Sequence, residues 1–356
     1  MNIAEPQLRK VVHAILGAGG SDEHEAELVT DHLVRANLAG HDSHGVGMVP
    51  TYVKHLKAGL LKPNTAAEKV KDEGAILAFD GRRGYGQRVA LEAVDAAIKR
   101  CRETGLVLMS LRDAHHIGRI GTYGERAIDA GLVSLHFVNV TDHRPLVAPY
   151  GGTDARFGTN PICIAMPGGD ETEPLLLDMA TSKIALGKTR VAMNQGVEVD
   201  DGKLLDGQGK PTNDPNVMFS EPYGALLPLG DYKGYGLAMF CELLGGVLSG
   251  GGTIQPGHER LGSIVNNMLT FVIDPAKLVD IPWMRAEIDA TVRYFKASPP
   301  AHADKPVLSP GDPERRAKEV RQREGIPLAD RAWEGILAAG EEVGFSREEA
   351  EALRKA

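Results

Sequence analysis

The stretch AILAFDGRRGYGQRVALEAVDAAIKRCRETGLVLMSLRDAHHIGRIG, residues 75–121, decides the fold class. AILAFDGRRGYG, 75–86, reads as a strand that breaks at the turn pair Asp80-Gly81. QRVALEAVDAAIKRCRETG, 87–105, follows as a helix, and LVLMSLRD, 106–113, as a buried strand. His115 and His116 come straight after it. Strand, helix and strand in succession belong to an α/β protein. Yet no G-x-G-x-x-G follows a strand anywhere in the chain, and no G-x-x-x-x-G-K-[ST] is present. The early GAGG, 17–20, follows a helix and suits a C-cap. A familiar Rossmann dehydrogenase is therefore disfavoured.

Working outward, residues 6–17 and 22–38 read as amphipathic helices. Leu28, Val29, His32, Leu33, Ala36 and Leu38 recur at helical spacing in the second. Ser21 and Asp22 suit its N-cap and Gly40 its end, which leaves His41–Gly45 in the turn that follows. Pro50–Leu61 reads as a third helix, closed by Lys62-Pro63. Downstream come a helix over 121–131, strands over 132–140, 162–167, 175–180 and 266–274, and a long apolar helix over 233–251. Strands and helices alternate to about residue 140, and the middle is strand-rich. ASPPAHADKP, 297–306, reads as a surface connection to a charged, helical end that starts at Pro310.

The 356 residues suffice for two or three domains or one large one. A net charge of −8 and 5% aromatics argue against a nucleic-acid partner, which would need a basic patch and stacking platforms. Cys101, Cys163 and Cys241 are scattered and odd in number, without zinc spacing, which suits a reducing cytoplasm. The N-terminus has no signal-peptide pattern, and no apolar run is long enough for a membrane span.

The chemistry centres on AGHDSHGVGM, 39–48. A metal site from His41, His44, His115 and His116 lacks the support of a HExxH or a cysteine pair. A triad from Asp42, Ser43 and His44 lacks a G-x-S-x-G elbow, and triad members come from separate segments. His41 reads as a polar helix-end residue. His44 and His116 leave regular elements on glycine-bearing loops, where catalytic groups concentrate, and imidazole transfers protons near neutrality. RFGTNPICIA (156–165), LLLDMATSKIALGKTR (175–190) and PGDPERR (310–316) are further candidate ligand loops, though plain capping is the stronger reading of each taken singly.

DSHGVGMVPTYV, HHIGRIGTYGERAIDAG, LVAPYGGTDARFGTNPI, LLDMATSKIALGKTRVA and DYKGYGLAMFCELLGGVLSG together resemble, in this order, the type-2 malate/L-lactate dehydrogenase family over roughly residues 5–345. The resemblance implies a non-Rossmann, sulfolactate dehydrogenase-like α/β (α+β) fold. It has a mixed, largely antiparallel central sheet and a helical domain built from both termini. It implies domains at 1–62 plus 307–356 (helical), 63–115 (small α/β) and 116–306 (NAD(P)-binding sheet). It implies an NAD(P)-dependent enzyme interconverting 2-hydroxy and 2-oxo acids as a homodimer. Carried over motif by motif, the dinucleotide would touch His44, Gly118, Arg119, Ile120, Leu176, Leu177, Asp178, Met179, Ala180, Thr181, Ser182, Lys233, Asn266, Gly311, Asp312, Pro313 and Glu314. Acid/base chemistry falls on His116 and His44, with Ser43 beside the latter. Met48, Tyr52, Arg119 and Thr159 would face the substrate, and no metal is implied. Many family members carry arginine where Met48 stands. An apolar, adaptable methionine there points to bulkier or aromatic 2-oxo acids. Arg119, Arg144, Arg156 and Arg190 remain as carboxylate partners. Lys188, Arg190, Arg315 and Arg316 are the basic groups for a 2′-phosphate, with NAD the first choice over NADP.

Overall fold

The computed structural model describes residues 1–355, the side chain of Asn194 aside. In chain order the elements are α1 (Glu5–Ala18), α2 (Glu23–Leu38), α3 (Val49–Lys57), β1 (Glu68–Glu73), β2 (Ile76–Asp80), α4 (Gly86–Thr104), β3 (Leu106–His115), α5 (Gly121–Asp129), β4 (Val133–Thr141), β5 (Ile162–Met166), β6 (Leu175–Met179), α6 (Leu186–Gln195), α7 (Tyr232–Glu242), β7 (Val265–Ile273), α8 (Ile281–Lys296), α9 (Asp312–Glu324), α10 (Asp330–Glu342) and α11 (Arg347–Lys355). Asn2–Ile3 pairs with Ile326–Pro327, and Leu204–Leu205 pairs with Pro211–Thr212 on one side and Ala225–Leu226 on the other.

The seven named strands form one sheet in the order β1-β2-β3-β7-β4-β5-β6. Every pairing is antiparallel except β2–β3, which α4 connects as a crossover. The fold is thus α/β with a mixed, largely antiparallel sheet. α4 and α5 cover one face, where Val89, Ala93, Val94, Met109, Leu111 and Met268 form a core. A separate core joins the chain ends: Leu8, Ile15, Leu33 and Tyr52 pack with Trp333, Ile336 and Leu337 of α10.

Local chemistry sets several boundaries. Asp22 caps α2, its carboxylate accepting from Glu25 N at 2.8 Å. α3 ends at Lys57, short of the expected Leu61, because Gly59 takes φ +69° and turns the chain. β3 runs through His115, beyond the expected Asp113, because Val265 of β7 pairs with it. β1, α6 and α8 have no counterpart in the sequence reading. EKVKDE of β1 is exposed throughout and shows no apolar face. α8 leaves Trp283, Tyr294 and Phe295 exposed, which blurs its periodicity.

Candidate active site

His44 arrives on the one-turn 3-10 segment Asp42–His44 between α2 and α3. Asn37 locks that turn: its Nδ2 donates to Asp42 Oδ1 at 2.7 Å, and its Oδ1 accepts from Val46 N at 2.8 Å. The amide passes so close that a Cβ on Gly45 would stand 2.1 Å from Asn37 Oδ1, which explains the glycine after His44. His116 arrives from the end of β3. The two imidazoles stack with centroids 5.5 Å apart and planes 22° apart.

Each ring spends its Nδ1 on a hydroxyl. His44 Nδ1 lies 2.9 Å from Ser43 Oγ, and His116 Nδ1 lies 2.7 Å from Tyr52 Oη. Gln87 Nε2 donates to the same Tyr52 oxygen at 2.6 Å. The Tyr52 oxygen has two lone pairs, so beside the Gln87 bond it can accept from His116 Nδ1–H, the tautomer that leaves a lone pair on Nε2. Neither Nε2 has a hydrogen-bond partner among the described residues, and neither is fully shut off from the surface. Burial, then the neighbouring imidazoles of His44, His115, His32 and His55, push the His116 pKa well below its ordinary value. Burial lowers that of His44 to about 4, with the Asp178 carboxylate pulling the other way. Both rings are neutral at pH 7.

A charged layer supports the pair. Arg119, 2% exposed, donates from Nη1 to Glu125 Oε1 at 2.8 Å, and its Nε stands 3.6 Å from Asp178 Oδ2. Glu125 also takes Arg35, at 2.8 Å. Arg119 Nε and Nη2 have no hydrogen-bond partner although both are buried. Asp178 Oδ2 accepts from Gly121 N at 2.8 Å. His32 Nε2 accepts from Arg119 N at 3.0 Å, and a Cβ on Gly118, at φ +72°, would come within 2.4 Å of that nitrogen. On the other side of Tyr52, His55 Nδ1 and His115 Nε2 lie 2.9 Å apart.

The remaining candidates fall in several places. Thr181 Oγ1 donates to the carbonyls of Thr159 and Asn160 at 2.9 and 3.0 Å, which joins the GTNP loop to the end of β6. Ser182 Oγ donates to Ile184 O at 2.9 Å. Leu176 is buried, Leu177 is exposed, and Met179 and Ala180 are half-buried. Asn266 uses both ends of its amide structurally, accepting from Ile117 N and donating to Asn139 O, each at 3.0 Å. Gly311 caps α9 at φ +95°, and Pro313 lies exposed in its first turn. Burial would raise the Asp312 pKa, but Lys296, the Ser309 N–H and Arg315 hold it at about 2. Glu314 meets His41 at 3.2 Å, so His41 ties the DSHG turn to α9. Lys233 is exposed at the start of α7, and Met48 is half-buried against the helical core. Sequence reasoning missed Gln87, His32 as a partner of Arg119, and His55. Only His55 carried a readable signal, standing three residues after Tyr52 on the same face of α3. Among the described residues no three His, Cys, Asp or Glu side chains group so as to hold a metal.

A family model described as malate/L-lactate dehydrogenase matches residues 3–337. This chain belongs to the malate/L-lactate dehydrogenase family. It is 45% identical to hydroxycarboxylate dehydrogenase B of Escherichia coli K12 over 348 residues, covering 97% of this chain and 95% of that one. It is 42% identical to an L-lactate dehydrogenase of Cupriavidus necator over 336 residues, covering 94% and 96%. The solved sulfolactate dehydrogenase of Methanocaldococcus jannaschii superposes with a TM-score of 0.84 at 32% identity, covering 98% of this chain and 99% of that one. As a malate/L-lactate dehydrogenase family member, the chain is an oxidoreductase of small hydroxycarboxylic acids. No helix among its described residues is long and apolar enough to cross a membrane.

Proposed function

We propose that the protein is a nicotinamide-dependent 2-hydroxycarboxylate dehydrogenase that interconverts 2-hydroxy and 2-oxo acids. The observation that carries this reading is the stacked His44–His116 pair, with each Nδ1 taken by a hydroxyl and each Nε2 unpartnered. The site fits a dinucleotide. The orphaned Nε and Nη2 of buried Arg119 suit an anionic or carbonyl oxygen, and glycine at 118 lets the backbone come close. Contacts are assigned to His44, Gly118–Ile120, Leu176–Ser182, Lys233, Asn266 and Gly311–Glu314. When bound, the nicotinamide accepts or supplies the hydride.

The chain's own groups handle the proton. An alcohol becoming a ketone must lose its hydroxyl proton, and an imidazole kept neutral at pH 7 is ready to take it. His116 is the first choice, because Tyr52 and Gln87 fix its ring. His44, oriented by Ser43, is the rival. Arg119, Thr159, Tyr52 and Met48 are assigned to the substrate. The apolar Met48 favours bulkier or aromatic 2-oxo acids such as phenylpyruvate, beside 2-oxoglutarate or malate-type acids. NAD is preferred over NADP. Arg315, one of the basic candidates, is already spent on Asp312 and the Pro174 carbonyl. Residues 1–62 with 307–356 are assigned to a helical domain, 63–115 to a small α/β segment and 116–306 to the cofactor-binding sheet domain. The exposed apolar face of Tyr232, Met239, Phe240, Leu243, Val247 and Leu248 supports a homodimer. The cytoplasm suits three free cysteines.

The test is to mix purified protein with NADH or NADPH and a panel of 2-oxo acids and follow nicotinamide absorbance. Oxidation that survives a chelator is the expected result. Silence with every acid sinks the reading. If three- and four-carbon acids win by about tenfold in kcat/KM and aromatic acids are inert, the Met48 assignment fails.

A further inference from the structure

Arginines withdrawn from the surface of this protein are generally paired with acids. Arg88 meets Glu25 and Glu92, Arg119 meets Glu125, Arg83 meets Asp142, and Arg321 meets Asp42. Arg144 is not. It lies half-buried in the loop after β4, with its guanidinium carbon 4.2 Å from the centroid of the Tyr223 ring. Its polar partners are the carbonyl oxygens of Met218 and Pro145. No carboxylate stands within ion-pair reach of it among the described residues. Burial accordingly lowers its pKa, with only the Tyr223 hydroxyl acting against it. A guanidinium drawn out of water without a counter-charge is costly, and an incoming anion removes that cost.

Two further arginines without acid partners gather there. Arg190 of α6 lies over the ring of Phe219, the residue after Met218, at 5.5 Å. Arg260, in the loop before β7, donates to Ile254 O at 2.5 Å. His143 lies near all three: burial lowers its pKa, the Arg144 carbonyl 2.7 Å from Nδ1 raises it, and the charges of Arg144, Arg190 and Arg260 lower it further.

The cluster stands at the reacting end of the sheet, but set back from it. α6 starts against the DSHG turn, where a Cβ on Gly187 would lie 2.3 Å from Ser43 Cβ, and Arg190 follows one turn along. In the sheet, Val265 pairs with His115 on one side and Thr141 on the other. Thr141, three residues before Arg144, is therefore two strand spacings, about 10 Å, from His115. The carboxylate carbon of a 2-oxo acid is only one bond, about 1.5 Å, from its carbonyl carbon. The Arg144 guanidinium is anchored on Tyr223 and the Met218 carbonyl and makes no contact with either histidine, so the carboxylate it suits is one at the far end of the substrate.

We propose that Arg144, with Arg190 and Arg260 around it, forms the subsite for a second, distal carboxylate of the substrate. Guanidinium and carboxylate match as a bidentate pair. The assignment rests on His44 and His116 marking the reacting end. It selects dicarboxylic 2-oxo acids over monocarboxylic acids of equal length.

The experiment compares 2-oxoglutarate with 2-oxopentanoate in wild type, Arg144→Gln, Arg144→Lys and Arg190→Gln. The ratio of their kcat/KM values should fall by about ten- to a hundredfold in Arg144→Gln, through KM, and by less in the other two. A ratio that stays constant overturns the subsite, as does an equal loss for both acids. Calorimetry with glutarate and pentanoate gives a reading that needs no turnover. Wild type should bind glutarate at least tenfold more tightly than pentanoate, and Arg144→Gln should abolish the difference. If no 2-oxo acid is reduced, the dehydrogenase reading falls while calorimetry still judges the subsite. Equal binding of the two acids by wild type then overturns it. Should Arg144→Gln fail to fold, the exposed Arg190→Gln carries the same comparison.

Discussion

Lowering the pH from 7 to 5 should destabilise this protein steeply through histidines that the fold holds uncharged. His136, in the middle of β4, isolates the effect. It is fully buried, with Nδ1 2.9 Å from Thr270 Oγ1 and Nε2 2.9 Å from Ser134 Oγ, and burial alone lowers its pKa to about 3. In the unfolded chain the ring titrates near 6.5. Between those two values the unfolded state binds a proton that the folded state refuses. Stability is therefore complete above about pH 6.5 and drains away as pH falls toward 3. Protonating one such ring only in the unfolded state costs about 2 kcal/mol between pH 7 and 5. His32 and His115 are also held at about 3, by burial first and then by cationic or imidazole neighbours. Three such rings sum to about 6 kcal/mol, comparable with the whole stability of many domains. The perturbation is His136→Gln. The assay is urea unfolding followed by far-ultraviolet circular dichroism at both pH values. The variant's loss between pH 7 and 5 should be smaller than the wild type's by about 2 kcal/mol, whatever the substitution costs at pH 7. Equal losses in the two proteins would refute the reasoning.

Tyr52→Phe deletes the hydroxyl between Gln87 and His116 and leaves two buried groups unpaired. It should cost about 1–3 kcal/mol of stability and lower kcat at least tenfold; an unchanged kcat contradicts the orienting role. His116→Ala should lower kcat by about 10²–10⁴-fold, and His44→Ala assayed beside it identifies the proton carrier as the more damaged variant. If His44 is that carrier, the rate of hydroxy-acid oxidation should stay level from neutrality to about pH 5 and fall toward 4, because burial holds the ring neutral. A fall centred near 6.5 rules it out. Gly118→Ala drives a Cβ toward His32 at a left-handed φ and should lower the melting temperature in a thermal shift assay, at a cost of about 2 kcal/mol or more; an unmoved melting temperature contradicts the packing.

The parts of this protein legible in its sequence are those that local chemistry controls. α1, α2 and α4 follow from apolar residues at helical spacing, the start of α2 from Asp22, and the breaks at Gly40 and Asp80-Gly81 from backbone preference. β1 and α8 were illegible because burial does not order their residues: one has no buried face, and the other exposes aromatic side chains. The same division runs through the site. His44 and His116 stand out in the sequence as loop histidines beside glycine, and Asp178 as the acid closing a strand. That their rings stack depends on α3 bringing Tyr52 to His116 across 64 residues and α4 bringing Gln87 to Tyr52 across 35. Those contacts, and the burial that keeps the rings neutral, follow from how helices and sheet pack. Arg144 reads in the sequence as one of four carboxylate partners, with nothing to set it apart from Arg119, Arg156 and Arg190. Tertiary structure alone decides which acids stand near it, and among the described residues none does.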